Sequence, residues 1–284
     1  MSPAVPDDRD RVWAGSMPRA YDRWLAPTLF RPFAIDLARR AARFAPRRLL
    51  EIAAGTGVLT RELVTAVPAA QVTATDLNAA MIEFGSRQVP LAIWRQADAL
   101  RLPFDDRTFD LIACQFGVMF FPDRPAAFRE MGRVLGPAGR LLFSTWGAVE
   151  THGFAAALAA GLAHVFPDDP PAFVVAVPHG YCDLGQVAAD VAAGGLECAS
   201  AVPVTLVGHA ASAADVAVGF CTGTPLRAAI EARGDLAAYT ARVADQMTAR
   251  LGPGPVTAKM TAYVIEARPP RGPAAGSADV RIRP

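Results

Sequence analysis

Residues 49–60, LLEIAAGTGVLT, constrain the fold more than any other part of the chain. A short apolar run leads to the carboxylate of Glu51, and a loop of small residues follows over 53–57. Apolar residues then recur at helical spacing at Leu59, Leu63 and Val67. The pattern predicts a strand, a tight turn and a helix, which is the unit with which many α/β proteins bind nucleotides.

Strand and helix patterns alternate regularly up to Trp146. The predicted strands cover 47–53, 71–76, 91–98, 109–116 and 139–146. The helices between them cover 57–67, 79–88 and 124–135, with Asn78 and Asp123 as N-caps. An amphipathic helix over 33–44, which includes Phe44 in its apolar face, precedes the first strand. The alternation predicts an α/β fold, Rossmann-like and doubly wound, with a mostly parallel sheet.

The alternation stops after Trp146. An alanine-rich helix, a proline-rich stretch and a short helix follow over 151–195, and a strand is predicted over 196–207. Residues 212–251 are predicted to be helical, and 259–268 are predicted to form the last strand. The resulting division of the chain is a helical segment that covers the site (1–45), a cofactor-binding half (46–147), a strand with helical cap insertions (148–255), the last core strand (256–268) and a disordered tail (269–284).

Composition excludes several classes of protein. The net charge of +1 comes from 28 basic and 27 acidic residues that are mixed along the chain, which argues against a nucleic-acid partner. No apolar run approaches the roughly 18 residues of a membrane-spanning helix, and the polar N-terminus does not resemble a signal peptide. The four cysteines have no metal-ligand spacing and are expected to be buried thiols. We therefore expect a cytoplasmic protein with no metal and no integral membrane contact.

The loop over 53–57 does not match a dinucleotide-binding fingerprint. Counted from Gly55 and Gly57, the third glycine is replaced by Thr60, and counted from one step earlier the first glycine is replaced by Ala53. A ligand without a pyrophosphate tolerates this loss. Asp76, at the end of the second strand, suits a ribose diol of any adenosine ligand.

The end of the third predicted strand distinguishes better between possible nucleotide ligands. Asp98 is placed there to accept a hydrogen bond from an adenine amino group, and Leu77, Ala99 and Leu100 are placed to sandwich the ring. Four ordered stretches, LLEIAAGTG, TATDLN, ADALRLPFDDRTFDLIACQFGVMFFPD and FREMGRVLGPAGRLLFSTW, resemble a class I S-adenosylmethionine-dependent methyltransferase. The resemblance is to the type-11 group, which includes the ubiquinone and menaquinone C-methyltransferases, and it covers residues 20 to 147.

The resemblance implies a seven-stranded sheet, S-adenosylmethionine as cofactor and S-adenosylhomocysteine as product. It places the loop over 53–57 beneath the methionine part of the ligand, with Glu51 steadying that loop. It also places Tyr21 over the cofactor and Gln115 and Phe116 at the methyl-donor end. The full set of implied cofactor residues is Tyr21, Glu51, Ala53, Ala54, Gly55, Thr56, Gly57, Asp76, Leu77, Met81, Asp98, Ala99, Leu100, Gln115 and Phe116.

The acceptor side depends on residues beyond the fifth strand. His152 follows that strand at the ligand-binding edge of the sheet, and it is the candidate general base. His179 and Glu150 are weaker candidates for contact with substrate. The candidate substrate residues are Tyr21, Phe116, Met119, His152 and Tyr181.

The insertions are rich in alanine, valine, phenylalanine and proline, which favours a small, fairly apolar methyl acceptor. The chain is expected to be a monomer or a homodimer. Two alternatives stay open. One is an NAD(P)-dependent oxidoreductase, which Lys259, the only lysine, disfavours because it lies in a predicted strand and not in a Tyr-x-x-x-Lys pattern. The other is a non-catalytic S-adenosylmethionine-binding protein.

Overall fold

The computed structural model describes residues 11, 13 and 15–270 of the 284. Within that part of the chain the seven strands are β1 (Arg48–Ile52), β2 (Gln71–Asp76), β3 (Ile93–Gln96), β4 (Phe109–Gln115), β5 (Leu135–Trp146), β6 (Glu197–Ala210) and β7 (Val256–Arg268). They form one sheet in the order β3-β2-β1-β4-β5-β7-β6. β1 to β5 pair in parallel, whereas β7 runs antiparallel to both β5 and β6. The predicted α/β fold with a mostly parallel seven-stranded sheet is confirmed.

The helices of the first half are α1 (Met17–Ala20), α2 (Arg31–Ala42), α3 (Val58–Ala66), α4 (Ala79–Gln88) and α5 (Arg124–Val134). Those of the second half are α6 (Gly153–Val165), α7 (Phe173–Ala176), α8 (Leu184–Ala193), α9 (Ala213–Gly223), α10 (Leu226–Glu231) and α11 (Leu236–Leu251). A π-helical segment, Tyr21–Phe30, joins α1 to α2. Pro27 lies within it, and proline has no amide hydrogen for the usual i to i−4 bond, so the wider turn follows from the sequence.

Side chains on each central strand alternate between two hydrophobic cores. Leu49 of β1 packs with α2 and α3 on one face of the sheet, whereas Leu50 packs with α5 on the other. β4 repeats this alternation, because Leu111 joins the first core and Ile112 joins the second. Burial on both faces explains the near-continuous apolar runs of these strands.

Several local predictions differ from the structure; for example, β5 begins at Leu135 and not at 139. The first helix ends at Ala42, so Phe44 lies beyond it and is exposed rather than part of its apolar face. Asn78 occupies the N-cap position of α4, but its side chain bonds to Asp76 and to the amide of Trp13 instead of capping the helix. β3 ends at Gln96 and not at 98, because Asp98 turns the chain by accepting a hydrogen bond from the Leu100 amide.

Segments at both ends of the chain fall partly outside this description. The predicted disordered tail lies, from residue 271 onward, beyond the described residues, as do residues 1–10, 12 and 14 of the N-terminal segment. No helix in the described ranges is both long and apolar enough to cross a bilayer.

Candidate active site

A cavity opens at the carboxyl ends of the parallel strands. It lies where β1 and β4 are neighbours and the strand order reverses direction, which is the ligand-binding position of doubly wound sheets. Its wall includes Ala53 after β1, Asp76 at the end of β2 and Phe116 after β4. The chain connections therefore bring together three of the sequence motifs.

The loop after β1 adopts a left-handed backbone. Gly55 and Gly57 have φ values of +56° and +87°, and Ala53 has a φ of +56°. The loop is held against β2, because the Ala54 amide donates to the Thr75 carbonyl and the Gly55 amide donates to Asp76 Oδ2, both at 2.9 Å. A β-carbon at Gly55 would meet no atom within 4 Å, so this part of the loop faces open space.

Asp76 connects this loop to the start of α4. Its Oδ1 accepts hydrogen bonds from the Asn78 amide at 2.8 Å and from Asn78 Nδ2 at 3.3 Å, and its Oδ2 accepts from Gly55. Burial raises the pKa of this carboxyl, and the bonds from Asn78 and Gly55 oppose that rise. Because a carboxylate offers about four lone-pair positions and three are used, Asp76 keeps capacity for one ligand hydroxyl group in the cavity.

A smaller cleft behind the loop holds two acceptor atoms without donors. It is lined by Glu51, Gln115 and Tyr21 among others. Glu51 Oε2 and Gln115 Oε1 are buried and accept no hydrogen bond, although Gln115 Nε2 donates to the Phe30 carbonyl at 2.9 Å. Burial raises the pKa of Glu51 to about 8, Thr60 opposes the rise and the charge of Asp76 adds to it. Two buried acceptors without donors fit an ammonium group, which has hydrogens to give and a charge to neutralise.

The adenine position implied by the sequence lies along the same wall. Leu77, Met81, Asp98 and Ala99 all line the cavity. Met81 and Ala99 are buried, whereas Asp98 is exposed at the mouth with one carboxylate oxygen bonded to a backbone amide. Residues whose chemistry suits an ammonium, a ribose and an adenine group thus line the two neighbouring cavities.

Aromatic rings form the opposite wall. Phe116 stacks on Trp146 with ring centroids 3.7 Å apart and an angle of 7° between the planes. Phe116 has a φ of +53°, a strained value for a bulky residue, and such strain occurs most often at binding sites. Tyr21 stacks on Phe30 at 4.8 Å, and Trp13 packs edge-on against Tyr21. The N-terminal segment therefore contributes aromatic side chains directly to the site.

Two histidines from beyond β5 complete this wall. His152 and His179 are 1% and 5% exposed, and both line the cavity with Trp146. Burial lowers the pKa of His152 to about 3 and that of His179 to about 4. His152 caps α6, because its Nδ1 accepts a hydrogen bond from the Ala155 amide at 3.1 Å. Both rings are therefore neutral near pH 7.

Several sequence-predicted site residues lie away from both cavities. Thr56 and Gly57 lie at the start of α3, and Leu100 packs against the core behind Asp98. Met119 is fully buried in the core. Tyr181 donates a hydrogen bond to Asp190 at 2.8 Å, which ties it to α8. Neither cavity wall contains any of the five.

Other cavity residues were not singled out by the sequence. They are mainly apolar and aromatic, and they include Trp13, Phe30, Trp146, Phe173, Val174, Pro178 and Phe220. Trp146 could have been identified from the sequence, since it ends a predicted strand at the ligand-binding edge. The others come from helices and connecting segments whose docking depends on tertiary packing, so periodicity alone could not identify them.

No cluster of three or more potential metal ligands occurs among residues 11, 13 and 15–270. The four cysteines are free thiols, and Cys114 and Cys221 are buried as expected. Cys198 is exposed and Cys182 is partly exposed, so the prediction of burial is wrong for these two. Cys198 lies on the edge strand β6, where the pairing with β7 shifts register and leaves the side chain facing solvent.

Sequence comparisons agree with this geometry. A family profile described as a methyltransferase domain matches residues 50–143. The demethylmenaquinone methyltransferase of Deinococcus radiodurans is 32% identical over 179 residues, which is 58% of this chain and 73% of that protein. The ubiquinone/menaquinone biosynthesis C-methyltransferase of Pseudomonas savastanoi is 41% identical over 121 residues, which is 40% of this chain and 46% of that protein.

Solved structures support the same fold. The YcgJ protein of Bacillus subtilis matches with a TM-score of 0.54 and 21% identity, over 85% of this chain and all of that one. An N-methyltransferase of Haemonchus contortus, solved with phosphomonomethylethanolamine and S-adenosylhomocysteine, matches with a TM-score of 0.58 and 14% identity, over 94% of this chain and 61% of that one. The fold, the ordered site motifs and the Deinococcus relative together establish that the chain belongs to the class I S-adenosylmethionine-dependent methyltransferases, in the group of the ubiquinone and menaquinone C-methyltransferases.

Proposed function

We propose that this methyltransferase transfers a methyl group to a small, fairly apolar molecule and releases S-adenosylhomocysteine. The observation that carries the cofactor assignment is the pair of buried acceptors without donors, Glu51 Oε2 and Gln115 Oε1, beside the loop over 53–57. When bound, S-adenosylmethionine supplies an electrophilic methyl group on its sulfonium sulfur. The acceptor attacks the methyl carbon in line with the C–S bond, and the sulfur leaves as a thioether.

The residues of this chain then have three tasks on the cofactor side. Glu51 and Gln115 accept hydrogen bonds from the ammonium group, and Asp76 accepts one from a ribose hydroxyl. Asp98, with the Ala99 amide, holds the adenine at the mouth of the cavity. These contacts orient the methyl group towards Phe116, and such positioning can lower a barrier by roughly 7–11 kcal/mol.

The acceptor side has a different chemistry. Beyond Phe116 the wall consists of Trp146, Phe173, Val174 and Phe220, with two neutral histidines. None of these six side chains is charged near pH 7, which supports a small, largely apolar acceptor; the cation of Arg11 also lines the cavity. Phe120 stacks on Phe173 and Trp13 packs against Phe120, so aromatic side chains cover the cavity and exclude water from the reacting atoms.

Calorimetric titration of the purified protein with S-adenosylhomocysteine tests the cofactor assignment. We expect a micromolar dissociation constant, equivalent to about −8 kcal/mol, and no heat from NADH or NADPH titrated under the same conditions. Binding of a nicotinamide dinucleotide without binding of S-adenosylhomocysteine would refute the proposal. Release of S-adenosylhomocysteine during an acceptor screen separates a working enzyme from a protein that only binds the cofactor.

The same titration with the variant Asp76→Ala tests the proposed contact of Asp76 with the ribose. The substitution removes the ribose acceptor and also the bonds that hold Gly55 and Asn78, so we expect affinity for S-adenosylhomocysteine to fall by more than 100-fold. Asp98→Ala is the matched control, because its exposed carboxylate loses a solvated ligand contact and one bond to the Leu100 amide, and we expect a decrease of less than about tenfold. An Asp76→Ala protein that is folded by circular dichroism and retains wild-type affinity would contradict the assigned role of Asp76.

A further inference from the structure

His152 and His179 face each other but are anchored through different hydrogen bonds. His152 Nδ1 accepts a hydrogen bond from the Ala155 amide at 3.1 Å, whereas His179 Nδ1 lies 2.8 Å from the Gly147 carbonyl oxygen. The ring centroids are 5.3 Å apart, and the rings are nearly perpendicular at 82°. Each ring thus uses Nδ1 for the backbone and leaves Nε2 without a hydrogen-bond partner among the described residues.

The two backbone contacts fix opposite tautomers. A carbonyl oxygen can only accept, so Nδ1 of His179 carries the hydrogen and its Nε2 presents a lone pair. An amide can only donate, so Nδ1 of His152 is unprotonated and its Nε2 carries the hydrogen. The low pKa values keep both rings neutral near pH 7, so these tautomers persist. The cavity therefore presents one hydrogen-bond donor beside one acceptor.

Building on the proposed function, we propose that His152 and His179 recognise a planar, uncharged hydroxyl compound, a phenol or an enol, as the methyl acceptor. His152 Nε2 donates a hydrogen bond to the acceptor oxygen, and His179 Nε2 accepts the hydroxyl hydrogen. A single hydroxyl group can satisfy both histidines, whereas a primary ammonium or a carboxylate cannot. His179, rather than His152, is the catalytic base, and His152 is a substrate-orienting residue.

The aromatic surroundings account for the planar shape of the proposed acceptor. Trp146 stacks with Phe116 at 3.7 Å and packs edge-on against His152, with ring centroids 4.7 Å apart. It also lies nearly parallel to His179, at 6.0 Å and 29°. Flat faces at these positions favour a ring over a branched chain, because aromatic pairs gain from offset stacking and edge contacts.

The weak basicity of His179 is compatible with this role. In the transfer, a lone pair of the acceptor oxygen forms the new O–C bond, the electron pair of the C–S bond stays on sulfur, and the hydroxyl proton passes to His179 Nε2. The proton becomes strongly acidic only as the oxygen forms its third bond, so a base with a low pKa can take it at that stage. The positive charge of the sulfonium thus ends on the imidazolium, which then releases the proton to water.

Nitrogen NMR of histidine-labelled protein at pH 7.5 tests the tautomers directly, without any activity measurement. We expect the Nδ1–H tautomer for His179 and the Nε2–H tautomer for His152, with the signals assigned from the variants described below. Protonation of His179 at Nε2, or of His152 at Nδ1, would overturn the inference.

Asparagine variants separate anchoring from recognition. His179→Asn keeps an amide hydrogen for the Gly147 carbonyl, and His152→Asn keeps an oxygen for the Ala155 amide, so each loses only the cavity-facing nitrogen. With 2-naphthol and 2-methoxynaphthalene as probes, we expect wild-type protein to bind the naphthol at least tenfold more tightly. His179→Asn should abolish this preference, whereas His152→Asn should weaken both probes to a similar extent and leave the preference.

The outcomes distinguish this inference from the proposed function. Both variants should bind S-adenosylhomocysteine within about twofold of the wild-type affinity. If wild-type protein does not bind S-adenosylhomocysteine, the proposed function fails. If it does bind, but wild-type protein shows no preference for 2-naphthol or His179→Asn retains one, only the assignment of the histidine pair fails.

Discussion

The two halves of the cavity wall differ in their chemistry and in whether the methyltransferase-domain match covers them. The half built on β1 to β4 uses left-handed loops and buried carboxylates, and the matched methyltransferase domain, residues 50–143, covers it. The half contributed by Trp146 and the cap segments over 148–255 uses aromatic rings and neutral histidines, and it lies beyond that match. The half within the matched domain thus carries most of the residues proposed for the cofactor, and the half beyond it carries most of those proposed for the acceptor.

The two halves also respond to pH in opposite directions. Glu51 is a buried acid whose pKa is raised, whereas His152 and His179 are buried bases whose pKa values are lowered. Burial disfavours the charged form in both cases. Ionising Glu51 is costly, and a cationic ligand suits it because the ligand's charge lowers that cost on binding. His152 and His179 stay neutral, which suits an uncharged ligand.

The largest expected effect of a substitution on stability is at Glu51. Its pKa is about 8 in the folded protein and 4.5 as an ordinary value, so the folded state binds more protons and stability is lost as pH rises through this window. At pH 7 the cost is at most about 3 kcal/mol, and at pH 5 it is about 1 kcal/mol. Glu51→Gln should therefore raise the melting temperature more at pH 7 than at pH 5.

Comparison of the two pH values makes this test specific. The packing cost of the glutamine amide is the same at both, so it cancels from the difference. We also expect Glu51→Gln to bind S-adenosylhomocysteine about tenfold more weakly, since a charge-assisted hydrogen bond is lost. A melting-temperature gain that does not change between pH 5 and pH 7 would show that Glu51 is ionised without cost in the folded protein.

The cap half should show the opposite slope. For His179 the folded pKa of about 4 lies below the ordinary 6.5, so the unfolded state binds more protons and stability falls as pH decreases from 6.5 towards 4. His152 faces it and follows the same direction, while the Glu150 carboxylate partly opposes the shift of His179. At pH 5 each histidine lowers stability by at most about 2 kcal/mol.

His179→Asn removes one of these two contributions. Melting temperatures measured from pH 4.5 to 8 should fall less steeply on the acid side for this variant than for the wild type, and the two curves should run parallel above pH 7. His164→Asn is the control, because His164 lies in the last turn of α6 and does not line the cavity, and its curve should follow the wild type. Equal acid slopes for His179→Asn and wild type would contradict a neutral, buried His179.

The central strands and the candidate site carboxylates, Asp76 and Asp98, could be predicted from the sequence because local patterns determine them. The alternation of apolar strands and amphipathic helices leaves few arrangements, and Asp76 and Asp98 end segments that must meet at one sheet edge. Boundaries were less certain: the end of β3 depends on a side-chain hydrogen bond of Asp98, and the position of Phe44 depends on where α2 ends.

The cap could not be predicted to the same depth. Phe173 and Phe220 reach the cavity only because α7 and α9 dock over it, and no local pattern encodes that docking. His152 was singled out from its position after β5, but its hydrogen-bond partner is an amide three residues on, in the helix that it caps. Tyr181 is of a residue type that is common in binding sites, yet its hydroxyl group donates a hydrogen bond to Asp190 in the core.

The smallest expected effect is a difference in stability between glycine substitutions at Ala53 and at its neighbour Ala54. Ala53 has a φ of +56°, and a left-handed backbone costs a residue with a β-carbon roughly 1–2 kcal/mol. Glycine at this position removes that strain, although it adds about 0.4–1 kcal/mol of unfolded-state entropy. Ala53→Gly should therefore stabilise the protein by up to about 1 kcal/mol, whereas Ala54→Gly, at a position without a left-handed backbone, should destabilise it by about 0.5–1 kcal/mol.

Urea unfolding of both variants measures this difference, which we expect to be about 1–1.5 kcal/mol. If Ala53→Gly destabilises as much as Ala54→Gly, the loop is not strained at Ala53. The methyl group of Ala53 also points at Gly117, where an added β-carbon would lie 2.6 Å from it. That contact joins the loop after β1 to the turn after Phe116, so Ala53→Gly should loosen the packing between these two loops. Affinity for S-adenosylhomocysteine should stay within about threefold, because Asp76 still holds the Gly55 amide.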